Sequence, residues 1–314
     1  MSSSRDINPE WKFVAIGRGS FATVSIFSGR PVAFNFNSRT PELKTEFETL
    51  RALYDFCNTD SFFAIPRPLA YYDPELSSSF VSPEGSPVSN WRSRARRSLV
   101  TEVDFKALKL DSAAYAMDQV LPLPFSTALK IRTLFYPPGA GNAAVPSLCR
   151  LYFGKALDAR PNRFFNSANF PLDVSRYRQL LDSAKGDDYP SLDEIATGMG
   201  EMLGRMHWRC GFDGRDIEFV MGGASFSGVV MNVIDFNQVR VWSRKKDHIH
   251  QLIEAFFTND PYYPRPRPND HLYQMFCTGY MEAYPKEVKE AVELATVFLR
   301  GIEAEQAKRD SPKA

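Results

Sequence analysis

Four carboxylates stand close together in the C-terminal half of the sequence. Asp213, Asp216 and Glu218 lie within GFDGRDIEF, and Asp235 follows the largely apolar segment VVMNVI. Two carboxylates can bind a guanidinium through paired charge-assisted hydrogen bonds, and a third can accept a proton from an attacking amine. We therefore expect a site for a cationic substrate if the fold brings these side chains together. The alternative is that they only cap turns and hold a loop.

The N-terminal segments resemble the nucleotide-binding motifs of a protein kinase. Residues 17–24, GRGSFATV, have the spacing of the glycine-rich loop, and residues 32–35, VAFN, stand where kinases have VAIK. Asn35 thus replaces the lysine that contacts ATP, and Glu46 or Glu48 is placed as the ion-pair partner of that lysine. With the lysine gone, we expect only carboxylates near the reaction centre, which favours a cation.

The later motifs follow the kinase order too. His207 ends a capped helix that leads to Asp216, in the place of the catalytic-loop aspartate, and residues 233–237, VIDFN, stand in place of the D-F-G segment. The sequence therefore predicts an α+β, protein-kinase-like bilobal fold. The position of the second metal ligand is Met221, and Glu218 replaces a lysine, so we do not expect efficient phosphotransfer from ATP.

The predicted elements divide the chain into two lobes. A small antiparallel-sheet N-lobe with one helix covers residues 1–121, including a Ser/Arg-rich insertion at about 77–98, and a mainly helical C-lobe covers 122–314. The helix begins at Thr40 and has an apolar stripe, and a second helix begins with a capping box at Ser191. The predicted strands span residues 11–16, 23–27, 31–36, 98–104 and 113–120, and a last helix covers 288–302.

Net charge, apolar runs and cysteine spacing argue against a strongly basic nucleic-acid-binding protein, a membrane protein and a zinc finger. The 314 residues carry a net charge of +1, so a nucleic-acid partner would need a local basic patch. The N-terminus lacks the apolar segment of a signal peptide, and no apolar run is long enough to span a bilayer, so we expect a cytoplasmic protein without a membrane partner. The four cysteines lack zinc-finger spacing and are expected to be reduced core thiols.

Four blocks of sequence resemble a fungal family long labelled uncharacterised or zinc-finger-like. These are residues 115–124 (YAMDQVLPLP), 150–154 (RLYFG), 211–222 (GFDGRDIEFVMG) and 233–238 (VIDFNQ), and the resemblance extends from about residue 10 to 300. The family includes arginine-containing cyclodipeptide synthases, which join arginine and a second amino acid, both carried by tRNA, into a diketopiperazine. The resemblance implies this secondary-metabolite activity, with arginyl-tRNA and a second aminoacyl-tRNA as partners, no DNA, and no ATP or zinc cofactor.

The resemblance also suggests roles for the acidic residues. Asp216 is the candidate base, Asp213 and Glu218 would bind the guanidinium, and Asp235 would position the loop. A tRNA needs a cationic track. The candidate tRNA-binding residues lie in the insertion (Arg92, Arg94, Arg96, Arg97) and after the DFN segment (Arg240, Arg244, Lys245, Lys246).

The same residues allow other interpretations. Short basic runs are more often solvated surfaces than binding sites. The retained Asp216 and Asp235 also suit a kinase-like small-molecule phosphotransferase, although Asn35 and Met221 count against it. A third alternative is a catalytically inactive pseudokinase scaffold.

Overall fold

The structure is a computed structural model with a mixed α+β fold. It describes residues 12–18, 23–36, 40–76, 80–81, 99–108, 112–137, 145–157, 168–183, 188–224, 228–258 and 262–311. The chain divides into two compact units, residues 1–51 with 66–119, and residues 52–65 with 120–314. Among the described residues, no helix is both long and apolar enough to cross a membrane.

The first unit contains an antiparallel sheet. Its strands lie in the order β1-β2-β3-β6-β4-β5, and every pairing between neighbours is antiparallel. The predicted meander of the first three strands is confirmed, as is the predicted strand at 113–120. The strands are β1 (Phe13–Arg18), β2 (Thr23–Phe27), β3 (Val32–Phe36), β4 (Pro68–Tyr72), β5 (Phe80–Val81) and β6 (Ala114–Asp118).

Helix α1 (Thr40–Cys57) places an apolar stripe against this sheet. Leu43, Phe47 and Leu50 recur at helical spacing and are buried, as the sequence predicted. The ring of Phe47 lies 5.6 Å from the ring of Tyr71 on β4 and 5.7 Å from that of Tyr115 on β6. From residue 52 onward the helix belongs to the second unit.

The predicted strand at 98–104 is wrong, because helix α2 (Glu102–Ala107) forms there. The Asp104 carboxylate accepts hydrogen bonds from the backbone N–H of Thr101, at 2.7 Å, and from its hydroxyl, at 3.0 Å. Phe105 then packs edge-on against Phe34, with ring centroids 5.4 Å apart. The Thr-x-x-Asp spacing at residues 101–104 is itself a helix-start signal, which the β-branched residues around it obscured.

The second unit contains a smaller mixed sheet and most of the helices. Its strands lie in the order β10-β9-β7-β8, with β7 and β8 parallel and the other pairs antiparallel. The strands are β7 (Leu148–Tyr152), β8 (Asn169–Asp173), β9 (Glu218–Gly223) and β10 (Val229–Ile234). The α-helices are α3 (Phe125–Phe135), α4 (Val174–Ser183), α5 (Leu192–Arg205), α6 (Ile249–Phe256), α7 (His271–Glu282) and α8 (Lys289–Asp310).

The predicted helix after Ser191 is confirmed as α5. Its capping box forms, because the Ser191 hydroxyl accepts from the Glu194 N–H while the Glu194 carboxylate accepts from the Ser191 N–H. The apolar face of α5, which consists of Ile195, Met199, Met202 and Leu203, is buried. Helix α7 packs very closely against α5. A Cβ on Gly279 of α7 would lie 2.0 Å from the Thr197 carbonyl oxygen of α5, and a Cβ on Gly200 of α5 would lie 1.9 Å from the Phe276 carbonyl oxygen of α7. Only glycine allows two helix backbones to meet at this distance.

A five-residue π-helix (Met206–Cys210) extends α5 and leads to the acidic segment. His207 is fully buried there, with Nδ1 2.7 Å from the Tyr280 hydroxyl and Nε2 3.4 Å from the Asp213 carbonyl oxygen. Burial lowers the pKa of His207 to about 3, so the ring is neutral. The histidine therefore supports the loop that carries Asp213.

Residues 52–65 belong to the second unit, although the sequence-based division had placed them with the first. The backbone of Ala64 bonds to β10 on both sides, accepting from the Val233 N–H at 3.0 Å and donating to the Met231 carbonyl at 2.9 Å. Arg205 of α5 also donates to the carbonyl oxygens of Cys57 and Thr59. These bonds connect residues far apart in sequence, so local pattern could not reveal them.

Candidate functional site

Strands β7 and β9 place an arginine beside one of the predicted acidic residues. Arg150 on β7 is paired with Val220 on β9, and Glu218 lies two residues earlier on the same face of β9. Arg150 Nη2 lies 2.7 Å from Glu218 Oε1, and the Glu218 side chain is only 13% exposed. The expectation that only carboxylates remain at this centre is therefore wrong. Sequence reasoning missed Arg150 as a site residue because its partner lies on a distant strand.

Two further carboxylates join this pair. Ile234 on β10 is the cross-strand partner of Glu218, so Asp235 follows directly beyond it, and Asp216 precedes Glu218 by two residues. Burial raises the pKa of Glu218 to about 7; Asp235 and Asp216 add to the shift, while Arg150 opposes it. Burial and Asp216 raise the pKa of Asp235 to about 6. Glu218 can thus accept or release a proton near neutral pH.

The backbone at two of these positions is in an unfavourable conformation. Asp216 has φ 61° and Asp235 has φ 64°, both in the left-handed region that non-glycine residues seldom adopt. The side chain of Gln238 donates to Asp216 Oδ2, and the backbone N–H of Asn237 donates to Asp235, which helps to hold both carboxylates. Left-handed non-glycine residues concentrate at functional sites, where the surrounding structure compensates for the strain.

Asp213 does not belong to this cluster of available carboxylates. Its side chain is fully buried, and both oxygens are occupied within the chain. Oδ1 accepts from the backbone N–H of Arg240 at 2.9 Å and of Arg215 at 3.1 Å, and Oδ2 accepts from Arg240 Nε at 2.6 Å and Gln251 Nε2 at 3.2 Å. Arg240 of the same chain therefore occupies the position that the sequence had assigned to the guanidinium of a substrate. Asp213 holds the loop and has no free lone pair to offer an arginyl substrate.

A small hollow opens beside Asp216. It is lined by Gly214, Asp216, Ile217, Ala255, Phe256, Tyr262 and Tyr263, so apolar and aromatic walls surround one carboxylate. The Tyr263 hydroxyl is buried and has no hydrogen-bond partner among the described residues. Burial and the nearby Glu218 carboxylate raise the pKa of Tyr262, which keeps its hydroxyl protonated. The hollow combines aromatic surface with a carboxylate and polar hydroxyls, and its volume of about 10 Å³ has room for no more than one water molecule.

The predicted basic residues divide into two groups. Arg92, Arg94, Arg96 and Arg97 lie outside the described residues. Arg244 is exposed, but its guanidinium donates to the carbonyl oxygens of Trp208 and Arg209 and so caps the π-helix. Lys246 forms an exposed ion pair of 2.5 Å with Glu293, and Lys245 is exposed beside it. Arg244 therefore has a structural role, while the two lysines remain accessible to a polyanion.

A family model described as "Zinc finger protein" (DUF3669) matches residues 231–293, a segment that takes in most of β10, Asp235, α6 and α7. No curated protein matches the chain significantly.

The matched segment does not fit a zinc site. It contains one cysteine, Cys277, and three histidines, His248, His250 and His271, and a structural zinc would need all four gathered around one point in tetrahedral arrangement. His271 Nε2 instead contacts Asp193 at 2.9 Å, and His248 Nδ1 contacts the Ser243 hydroxyl at 2.8 Å. The described residues contain no group of three or more His, Cys, Asp or Glu side chains able to hold a metal ion.

Proposed function

We propose that this chain is an aminoacyl-tRNA-dependent synthase that joins arginine to a second amino acid as a cyclic dipeptide. The carrying observation is the cluster of Asp216, Glu218 and Asp235 around Arg150, with the pKa of Glu218 raised to about 7. The resemblance of four sequence blocks to the arginine-containing cyclodipeptide synthases supplies the substrate class. Carboxylates outnumber Arg150 in this cluster, which suits a cationic substrate.

The proposed roles differ from those that the sequence suggested. Glu218 serves as the base, because a carboxylate with a pKa near 7 is matched to proton transfer at neutral pH. Asp216 and Asp235 bind the positively charged part of the substrate. Arg150 orients Glu218 through their 2.7 Å ion pair, and Asp213 holds the loop through Arg240.

The chemistry requires two amide-forming steps. The α-amine of one aminoacyl group attacks the ester carbonyl carbon of the other, a C–N bond forms, and the C–O bond to the tRNA ribose breaks. Glu218 takes the proton from the amine and returns it to the departing ribose oxygen. The free amine of the resulting dipeptidyl-tRNA then attacks the second ester, which closes the ring and releases the second tRNA. Because the esters are already activated, orientation and one base suffice.

A protein-kinase-like fold belongs to the same proposal. It is supported by the antiparallel order β1-β2-β3-β6-β4 with α1 following β3, and by the succession of Asp216 and Asp235 further along the chain. At the position of the kinase lysine, Asn35 Nδ2 donates to Glu46 Oε1 at 3.2 Å and to the Tyr115 hydroxyl at 2.8 Å. Tyr115 in turn donates to Glu46 Oε1 at 2.8 Å. Glu46 thus keeps the expected position with an uncharged partner.

The alternative is a phosphotransferase, which the same strand order and the same two aspartates favour. Asn35 is buried and neutral, so it cannot replace the ammonium that binds phosphates. Met221, at the second metal-ligand position, is fully buried in β9 and offers only a soft thioether to a hard cation. A catalytically inactive scaffold could also carry Asn35 and Met221 in place of the kinase residues. Such a scaffold has no need for a carboxyl group with a pKa near 7.

The test is cell-free synthesis with arginine, the other amino acids, total tRNA and the synthetases, followed by mass spectrometry of small molecules. We expect an arginine-containing diketopiperazine that disappears after RNase treatment. Glu218→Gln, Asp216→Asn and Asp235→Asn should each lower the rate at least about 100-fold. Asp247→Asn, at an exposed position, is the matched control and should retain full rate. Product that persists after RNase, or magnesium-dependent phosphate transfer in its place, would refute the proposal.

A further inference from the structure

We propose that Cys57 and Cys210 form a thiol-oxidation site that peroxide converts to a reversible disulfide. The inference does not depend on the proposed function. It concerns two of the four free cysteines, both in the second unit.

The two sulfur atoms are already in contact. Cys57 is the last residue of α1 and is fully buried, Cys210 is the last residue of the π-helix and is partly exposed, and their Sγ atoms lie 3.3 Å apart. A disulfide bond is about 2.05 Å long, so the sulfurs must approach by only about 1.2 Å. Both residues lie at helix ends, where a small backbone adjustment disrupts few hydrogen bonds.

The surroundings assign different roles to the two thiols. The hydrogen bond from the Cys57 thiol lowers the pKa of Cys210, and Arg244 and Arg209 act in the same direction. The same contact and burial raise the pKa of Cys57. Cys210 is therefore the thiol that ionises first, and its partial exposure admits a small oxidant. Burial raises the pKa of Cys149 and, to about 11, that of Cys277, so neither competes.

The reaction balances with hydrogen peroxide as the oxidant. The Cys210 thiolate attacks one peroxide oxygen, the O–O bond breaks, and the products are a sulfenic acid on Cys210 and one hydroxide, which is protonated to water. The Cys57 sulfur then attacks the sulfenic sulfur, the S–S bond forms and a second water leaves. Two thiols lose two electrons to one peroxide. A dithiol reductant reverses the change.

Disulfide formation would covalently join residues 52–65 to the end of the π-helix. Gly211, the next residue, has φ 70°, and Arg244 packs against it while capping the π-helix carbonyls. The new bond would close a loop spanning 153 sequence positions, and a long loop in the unfolded chain loses the most entropy on cross-linking. The oxidised protein should therefore unfold at a temperature several degrees higher than the reduced one.

The first experiment treats the purified 314-residue chain with one to five equivalents of hydrogen peroxide. Peptide mass spectrometry without reduction should find the 57–210 linkage, and dithiothreitol should remove both the linkage and the rise in melting temperature. The double variant Cys149→Ser, Cys277→Ser should behave like the wild type. In Cys57→Ser, a dimedone-type reagent should label the sulfenic acid on Cys210. Oxidation that first modifies Cys149 or Cys277, or that links two chains, would overturn the proposal.

A second measurement needs no substitution. Phenylarsine oxide bridges two thiols that lie within bonding distance of one arsenic atom, so one equivalent should bind the reduced wild-type chain. The bound arsenical should protect Cys57 and Cys210, and no other cysteine, from alkylation by iodoacetamide. Absence of stoichiometric binding, or protection of a different pair, would contradict the proposed site even if a variant failed to fold.

Discussion

Replacing Asp213 with asparagine tests whether this carboxylate is structural or binds substrate. The change keeps the size of the side chain but turns one acceptor oxygen into a donor. If Oδ1 keeps its two backbone bonds, the new amide nitrogen must face Arg240 Nε and Gln251 Nε2, which are both donors. We expect the free energy of unfolding to fall by about 2–4 kcal/mol.

The magnitude follows from the contacts. A hydrogen bond to a charged group contributes about 1.5–3 kcal/mol, and breaking a buried ion pair costs about 3–5 kcal/mol. Arg240 is 39% exposed, so water compensates part of its loss and the estimate lies below the buried limit. With an m-value of about 3 kcal/mol/M, the urea midpoint should fall by about 1 M. Fluorescence of the buried Trp242 can follow the transition.

The matched control is Glu254→Gln, which removes the exposed ion pairs of the same Arg240 and of Arg215. Glu254 is 57% exposed, so this change should cost less than about 1 kcal/mol. The reasoning is refuted if Asp213→Asn unfolds within about 0.5 kcal/mol of the wild type while binding of an arginine-containing substrate weakens. That result would return Asp213 to the guanidinium-binding role suggested by the sequence.

Three further predictions concern pH, helix packing and capping. Burial raises the pKa of Glu218 to about 7 in the folded protein, so the native state binds the proton more tightly than the unfolded chain does. The free energy of unfolding should therefore fall by up to about 3 kcal/mol as the pH rises from about 4.5 to 7. Urea unfolding at pH 5 and pH 8 measures this decrease, and the contribution of Glu218 to it should be absent in Glu218→Gln. Gly279→Ala should lower the free energy of unfolding by at least about 2 kcal/mol in thermal unfolding, because the new Cβ would collide with the α5 backbone. The control Thr278→Ala, on the exposed side of α7, should change the free energy of unfolding by less than about 0.5 kcal/mol. Ser191→Ala should cost about 1 kcal/mol by loss of the α5 cap; an unchanged melting temperature would show that the cap contributes nothing.

Local pattern was sufficient wherever a segment's own residues decide its structure. The stripe of Leu43, Phe47 and Leu50 predicted α1, and the capping box at Ser191 predicted α5. The failure at residues 98–104 has the same local origin, because the β-branched residues outweighed the capping signal at Thr101.

The chemistry of the candidate site depends on partners that sequence proximity does not reveal. The sequence by itself showed that Asp213, Asp216, Glu218 and Asp235 follow one another closely along the chain, but it predicted a mainly helical segment there and not the strand pair of β9 and β10. Only the tertiary structure decided which of these carboxylates are free to contact a substrate and which are bonded within the chain. The pairing of β7 with β9 brings Arg150 to Glu218, and a buried bond to Arg240 occupies Asp213. The contact between Cys57 and Cys210 likewise joins distant segments. Such contacts depend on burial and on strand order, which are properties of the whole fold; a residue's type fixes what it can donate or accept, and its neighbours in space fix whether it is free to do so.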